Sequence, residues 1–513
     1  MKVSLVIWFV FLGALAYGQT NRTGTPVSWN QQLSLAVNQE WVAEANVDNL
    51  LEEDVIQEDL RTLPYRFAYA RSVSWTMENS GSWINLDNGD RLWILGIEYE
   101  RARSISVSFE HLHLPSGAKL FAYSEDRQDY YGPMNGAYSI ETEVTLPHVL
   151  GQRIFLEYYE PRAARGEGNL KVNYVSGAYR EPAAASASSQ LCTEWLTDGS
   201  SELASSRCGS SVMRVLVDHG QRYATSFLIN NSQNTAMPYA VMASSSIIGS
   251  PSSFSFQIGL NDNRCLTELS SCDLYCISGA ELVCHDSIAG LTLIRLTDSP
   301  PAEEGVYYAG WNVGDLDGET YYCVQHPLGM AKSFAHYEGP FLEGLSAIPV
   351  IVGLNNVGIG ETSEGSVGSP LFDKDFKVVG VFRGGNTRCE SPGGVDHFVM
   401  LKDVWPTFKA FLDPLQTGGD KIPGRETTQQ AKNSATTSEL LIYPNPASQH
   451  LQIVSSDNLD VFGWEVFDTN GRLQLRVNTS EILDISSLPD GVYALRAHTS
   501  QGVIVTPLLI SKK

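Results

Sequence analysis

Ser104-Ile105-Ser106-Val107-Ser108-Phe109-Glu110 alternates polar and apolar side chains, the period-two pattern of a strand with one wet face. Leu114-Pro115-Ser116-Gly117 supplies a turn, and the alternation resumes over residues 118–123. Residues 153–159 and 170–175 repeat it. Several short strands with turn residues between them predict an N-terminal β-sandwich over 19–185. Ahead of them, the acidic stretch from Trp41 to Leu60 reads as helix. A small-residue linker, 183–189, closes this first unit. The second unit, about 190–415, has the length of a two-barrel β domain and ends on a short helix, Trp405 to Leu412. Residues 416–438 are rich in Gly, Thr, Ser, Gln and Lys and read as a flexible tether. The last unit, 439–513, has strand-like runs at 440–443, 451–454, 464–467, 492–496 and 503–505. Turns at Asn470-Gly471 and Asp490-Gly491 separate two of the strand pairs. A second, small β-sandwich follows from this pattern. The predicted fold class is mainly β throughout.

Composition agrees with a multi-unit globular chain. The 513 residues suit about two to four domains, and 43% hydrophobic with 18% charged residues excludes disorder. The formal net charge of −23 argues against nucleic acid or anionic lipid as partner, since both reward Lys/Arg clusters. Lys2, the apolar run from Val3 to Leu15, and Ala16 and Gly18 ahead of Gln19 form a signal peptide, residues 1–18. The run is too short to span a bilayer, and no later stretch reads as a transmembrane helix. No cysteine follows the cleavage site, which argues against a lipoprotein anchor. Eight cysteines in an exported chain predict disulfides. Cys272, Cys276, Cys284 and His285 have a spacing that zinc accepts, but export and the lack of a second ligand pair favour disulfides. No metal and no cofactor is expected.

Three motifs fall in order near the C-terminus: Tyr443-Pro444-Asn445-Pro446-Ala447, Asp468-Thr469-Asn470-Gly471-Arg472, and Leu488-Pro489-Asp490-Gly491-Val492-Tyr493, with a terminal Lys512-Lys513. The set resembles the type A sorting domain of the Bacteroidetes type IX secretion system. That resemblance implies passage across the outer membrane, with the translocon and sortase as partners of 439–513. The chain would then be extracellular or attached to the cell surface.

Gly365-Ser366-Val367-Gly368-Ser369-Pro370 resembles the nucleophile loop of chymotrypsin-fold proteases, Gly-x-Ser-Gly-Gly-Pro or Gly-x-Ser-Gly-Ser-Pro, with valine in place of the serine. Phe227 to Asn231, Gly310-Trp311-Asn312, Gln325-His326-Pro327-Leu328-Gly329 and Val378 to Val381 extend the likeness. Residues 190–412 thus resemble trypsin-like proteases of the lysyl endopeptidase type, which implies a chymotrypsin-like double β-barrel. Leu114 to Leu120 matches a stretch of that family's precursor region.

By the same resemblance, the three triad positions are Ser245 for the histidine, Gly290 for the aspartate and Val367 for the serine. A serine hydroxyl is no base near neutral pH, glycine cannot orient an imidazole, and valine cannot form an acyl-enzyme. The family's disulfide at the histidine loop is missing at both ends, Ala224 and Ser246. Retained bridges implied by the family are Cys192 with Cys389 and Cys208 with Cys265. Cys272, Cys276, Cys284 and Cys323 would pair among themselves, in any of three ways. The backbone N–H groups of Gly365 and Val367 retain the form of an oxyanion pocket. Asp396 falls near the acidic residue that receives a basic side chain in the family; on its own it reads equally as a solvated loop carboxylate.

The resulting expectation is a secreted pseudoprotease whose groove holds a Lys- or Arg-containing peptide or serves a structural role. Two alternatives remain open at this stage. One is an active hydrolase rebuilt from Ser366 or Ser369 with His285, His326 or His397. The other is an adhesin or partner-binding protein that acts through its N-terminal sandwich.

Overall fold

The computed structural model describes residues 24–30, 37–58, 61–135, 138–140, 143–180, 194–195, 207–235, 237–261, 274–300, 305–316, 320–343, 351–357, 359–387, 394–427, 440–443, 447–455, 461–468, 472–477, 482–499 and 502–512. The signal-peptide reading, Cys192, Cys265, Cys272, Cys389 and the turn Asn470-Gly471 lie outside them.

The alternating segments pair as their pattern demands. In the N-terminal unit, strand Arg153–Glu160 lies between Arg91–Tyr99 and Lys119–Ser124, and Gln39–Val42, Ser82–Asn85 and Tyr130–Asn135 complete that sheet. The facing sheet centres on Ser104–Leu114 and Asn169–Ala178, flanked by Ala68–Thr76. Their apolar faces meet in one core that includes Trp93, Leu95, Ile105, Phe109, Leu156 and Val172. The Leu114–Gly117 turn closes with Ala118 N–H on the Pro115 carbonyl, and Gly117 takes a left-handed φ of 80°. The acidic stretch divides: Trp41 and Val42 pair in parallel with Glu98 and Tyr99, and helix begins only at Val47–Glu58. Edge pairing at Trp41 wins over helix propensity there.

The next unit is a pair of β-barrels. One sheet runs Tyr275–Ser278, Ser255–Ile258, Val212–Val217, Arg222–Leu228, Tyr239–Ala243, Leu291–Leu296, Ala280–Asp286. The other contains Pro370–Phe372, Thr320–Gln325, Ser333–Leu342, Ile351–Asn356, Val395–Met400 and Val378–Gly385, and closes by pairing Pro370–Phe372 with Val378–Gly385. Each barrel has its own filling, and a further cluster that includes Phe227, Val241, Leu291, Trp311 and Val381 lies where the two meet. The closing helix is longer than the sequence pattern gives, Leu401–Leu412.

Two expectations need correction. The first half of the tether is docked rather than loose. Lys421–Ile422 pairs with Trp311–Asn312, Arg425–Glu426 pairs with Tyr307–Tyr308, and Ile422 is buried. A few backbone bonds and one apolar side chain suffice to hold a polar-looking segment. Cys284 and Cys323 are buried and carry no disulfide among the described residues, so they are not bridged to each other as one of the three expected pairings would have it. Burial pushes both thiols well above their ordinary value. The C-terminal unit is the small sandwich: a three-stranded sheet faces a four-stranded one around Trp464, Val466, Leu483 and Leu495. Asp490-Gly491 joins Ile482–Asp484 to Gly491–Thr499, strands of different sheets, so it is a crossover rather than a hairpin turn.

The sandwich and the first barrel share a joint. The Phe67 ring stacks on Tyr223 at 4.3 Å and meets His148 at 4.9 Å. Phe67 N–H donates to the Gln221 carbonyl at 3.0 Å, and Ala70 N–H donates to the Gln221 side chain. His148 Nε2 donates to the Gly220 carbonyl at 2.8 Å, leaving Nδ1 to accept from Ser104 at 2.9 Å. Burial lowers His148 from 6.5 to about 4.

A lowered folded pKa means that the unfolded chain binds the extra proton first. His148's contribution is therefore complete above about pH 6.5 and is lost as pH falls toward 4, by at most about 3 kcal/mol given some residual exposure of the ring. Thermal melts between pH 7 and 4 should show this acid limb, and His148→Gln should flatten it.

Candidate functional site

The nucleophile-like loop is held by backbone geometry that only its glycines permit. Gly365 and Gly368 sit at φ of 85° and 92°. A Cβ on Gly368 would lie 2.3 Å from the Thr225 carbonyl oxygen. Thr225 secures the loop from strand Arg222–Leu228. Its N–H donates to the Val367 carbonyl at 3.2 Å and its hydroxyl to the Gly365 carbonyl at 2.8 Å.

Val367 is fully buried. Its serine neighbours are buried too and are consumed inside the loop. Ser366 Oγ accepts from Ser363 N–H at 3.1 Å, and Ser369 Oγ donates to the Ser366 carbonyl at 2.5 Å. Among the described residues neither hydroxyl bonds a histidine.

Ser245 lies in a short 3-10 turn, Ser244–Ser246, at the end of strand Tyr239–Ala243. Its hydroxyl donates at 2.8 Å to the carbonyl of Thr62, a residue from the N-terminal unit. Ser246 and Ala224, the ends of the absent bridge, are both fully buried.

Gly290 has φ of 65°, and a Cβ there would lie 2.8 Å from Arg383 Nη2. Arg383 Nη1 donates to the Gly290 carbonyl at 2.8 Å. Burial pulls this guanidinium below its ordinary value. A cation therefore stands where a carboxylate side chain would have to grow.

The three histidines considered from sequence separate. His326 is fully buried with Nδ1 donating to the Met330 carbonyl at 2.8 Å, and burial holds its pKa far below the ordinary range, so it is neutral. It braces the loop through its own N–H, which donates to Thr225 Oγ1. His397 lies on Val395–Met400, opposite Gly353 and Gly384. His285 is exposed, and its Nδ1 meets Ser244 Oγ and Thr292 Oγ1, each at 3.1 Å. The nearest acid in sequence, Asp286, is engaged elsewhere: it caps Ile288 and Ala289 N–H and accepts from Thr407. Among the described residues, Ser244–His285 is thus a Ser–His contact with no carboxylate bonded to the imidazole.

Asp396 is no solvated loop carboxylate. It sits on strand Val395–Met400, fully buried. Its Oδ2 accepts from Tyr337 at 2.5 Å, Thr387 at 2.8 Å and Thr362 at 2.9 Å. Burial raises its pKa; the three hydroxyls and the charge of Arg61 act against that rise.

Arg61 is the residue that sequence reasoning missed. It is only 7% exposed, and its Nη1 donates to two carbonyls, that of Thr387 at 2.6 Å and that of Thr362. Both threonines turn their hydroxyls to Asp396. No local pattern could have found this pair, because Arg61 is separated from Thr362 by 301 positions.

Arg61 and Thr62 thus touch both the surroundings of Asp396 and the Ser244–Ser246 turn, whose Ser244 N–H donates to the Gly290 carbonyl. Among the described residues no cluster of His, Cys, Asp and Glu is arranged to hold a metal, and no helix is long and apolar enough to cross a membrane.

Comparison with known proteins adds two family matches. Residues 192–399 match the lysyl endopeptidase C-terminal domain, and residues 441–511 match the secretion system C-terminal sorting domain. Solved structures similar to this chain include two of the Rv3671c protease of M. tuberculosis H37Rv in an inactive form, one of them a point mutant. Both are 14% identical; they cover 43% and 41% of this chain, and 94% and 92% of their own, with TM-scores of 0.28 and 0.29.

Proposed function

We propose that this chain, a secreted protease-related protein in which a trypsin-like domain of the lysyl endopeptidase type precedes a type IX sorting domain, is a pseudoprotease. Its protease-like domain binds basic peptide segments and does not cut them. The sorting domain directs it across the outer membrane to the cell surface or beyond, through the type IX system.

The observation that carries this reading is the packing around Gly290. An active centre needs an anion there to hold an imidazolium; the space is filled by Arg383 instead. Val367 supports it, since its buried side chain offers no nucleophile, and Ser245 offers no base. Asp396 supports the binding half, as a buried acid set below two carbonyls suited to a guanidinium. A fluorophosphonate serine-hydrolase probe should label neither the full chain nor its Val367→Ser variant, because the base and its orienter are missing as well. Covalent labelling of the natural chain would sink the reading.

One contact favours a rival, an active hydrolase rebuilt at Ser244 and His285. If the probe does label the chain and Ser244→Ala abolishes the labelling, that rival is correct.

A further inference from the structure

We propose that residues 61–66 are a built-in ligand of the protease-like cleft, with Arg61 seated in the Asp396 pocket, and that this segment competes with any arginine-bearing peptide arriving from outside. The inference rests on the reading of the cleft as a peptide-binding groove.

Successive residues of the segment contact successive parts of the protease-like unit. Arg61 enters the pocket and donates to the carbonyls of Thr362 and Thr387. One guanidinium nitrogen carries two protons, and the two carbonyls accept both. The next residue, Thr62, receives the Ser245 hydroxyl on its carbonyl. Pro64 receives Arg222 Nη1 at 3.3 Å. Tyr65 and Arg66 then pair antiparallel with Tyr223 and Arg222, adding a strand to the first barrel's sheet. A Cβ on Gly365 would sit 3.3 Å from Tyr65 Cβ, so the loop and the segment are in close contact. Strand addition beside a side-chain pocket is a recurrent way of binding an extended peptide.

The far end is clamped. Arg66 Nε pairs with Asp54 at 2.7 Å and its Nη1 with Glu53 at 3.0 Å, both on the acidic helix Val47–Glu58. Tyr179 also donates its hydroxyl to Asp54. On this account the acidic stretch noted in the sequence anchors the segment in the cleft. Arg61 itself adopts a left-handed φ of 45°, uncommon for a residue with a side chain. Backbone strain of that kind persists only where surrounding contacts over-determine it.

The ligand class follows from the pocket: a planar, multiply donating guanidinium on an extended peptide. Lysine, with a compact, strongly hydrated ammonium, lacks the pre-organised planar fork and loses more on burial.

The test uses the full chain and a fluorescent peptide of the sequence Leu-Arg-Thr-Leu-Pro-Tyr-Arg, copied from residues 60–66. Binding is read by polarisation for the natural chain, for Arg61→Ala and for Arg61→Gln, with melting curves to confirm folding; Arg61→Gln removes the charge but keeps a polar side chain if Arg61→Ala does not fold. The expected result is binding to the variants at least about tenfold tighter than to the natural chain, lost when the peptide's first arginine is alanine. Equal binding to natural chain and variants would overturn the built-in ligand and leave the peptide-binding reading intact. Binding to none of them would overturn both, while leaving the absence of catalysis untouched.

Discussion

Asp396→Ala should destabilise the protease-like unit by about 3–5 kcal/mol, since three buried hydroxyls lose their acceptor at about 1–3 kcal/mol each. The size follows from what the substitution abandons. Three hydroxyls, those of Tyr337, Thr362 and Thr387, lose a shared acceptor in the interior. The buried Arg61 loses its counter-charge at the same time. Denaturant titration of the full chain checks the magnitude. A double-mutant cycle with Arg61→Ala should return a coupling above about 1 kcal/mol, as contacting members of one network do. Additive losses would mean that the acid stabilises the strand alone and does not feel the arginine.

Gly368→Ala should be comparably damaging, by about 3 kcal/mol or more. Its φ of 92° lies where L-residues are strained, which alone costs about 1–2 kcal/mol. The new methyl would also meet the Thr225 carbonyl at 2.3 Å, and a backbone carbonyl cannot swing aside as a flexible side chain can. The same denaturant titration applies, and little or no loss of stability would show that the loop can shift as a body. This loop thus keeps its shape although valine occupies its third position. The motif is retained because the backbone turn needs its glycines, which is a requirement of fold rather than of chemistry.

These residues also mark how far the sequence could be read. Alternation placed strands at 104–110 and 153–159, inside the observed Ser104–Leu114 and Arg153–Glu160, because a sheet with one buried face writes its period directly into the chain. The protease-like loop was legible because its glycine and proline positions match the family pattern even though Val367 does not. Contacts between distant segments left no local trace. No sequence pattern marks Arg61, and only the folded chain brings it to Thr362 and Thr387. Nothing in the sequence reading singles out Arg383, and its place against Gly290 depends on how the two barrels meet. Residues 421–427 look like tether because their docking uses backbone bonds, which composition does not record. Asp396 was found by resemblance, yet its burial was not, since a single acidic residue between a glycine-rich loop and an apolar run has no burial signature.

On the proposed reading the absence of catalysis is intrinsic to the site, and separate from the seating of residues 61–66. The most direct measurement is therefore hydrolysis of arginine and lysine esters by the full chain carrying Arg61→Ala, in which the pocket is open. No turnover above buffer, and no labelling by a serine-hydrolase probe, is the expected result. Ester hydrolysis that the probe abolishes would contradict it, and would make this chain a latent protease held shut by its own arginine.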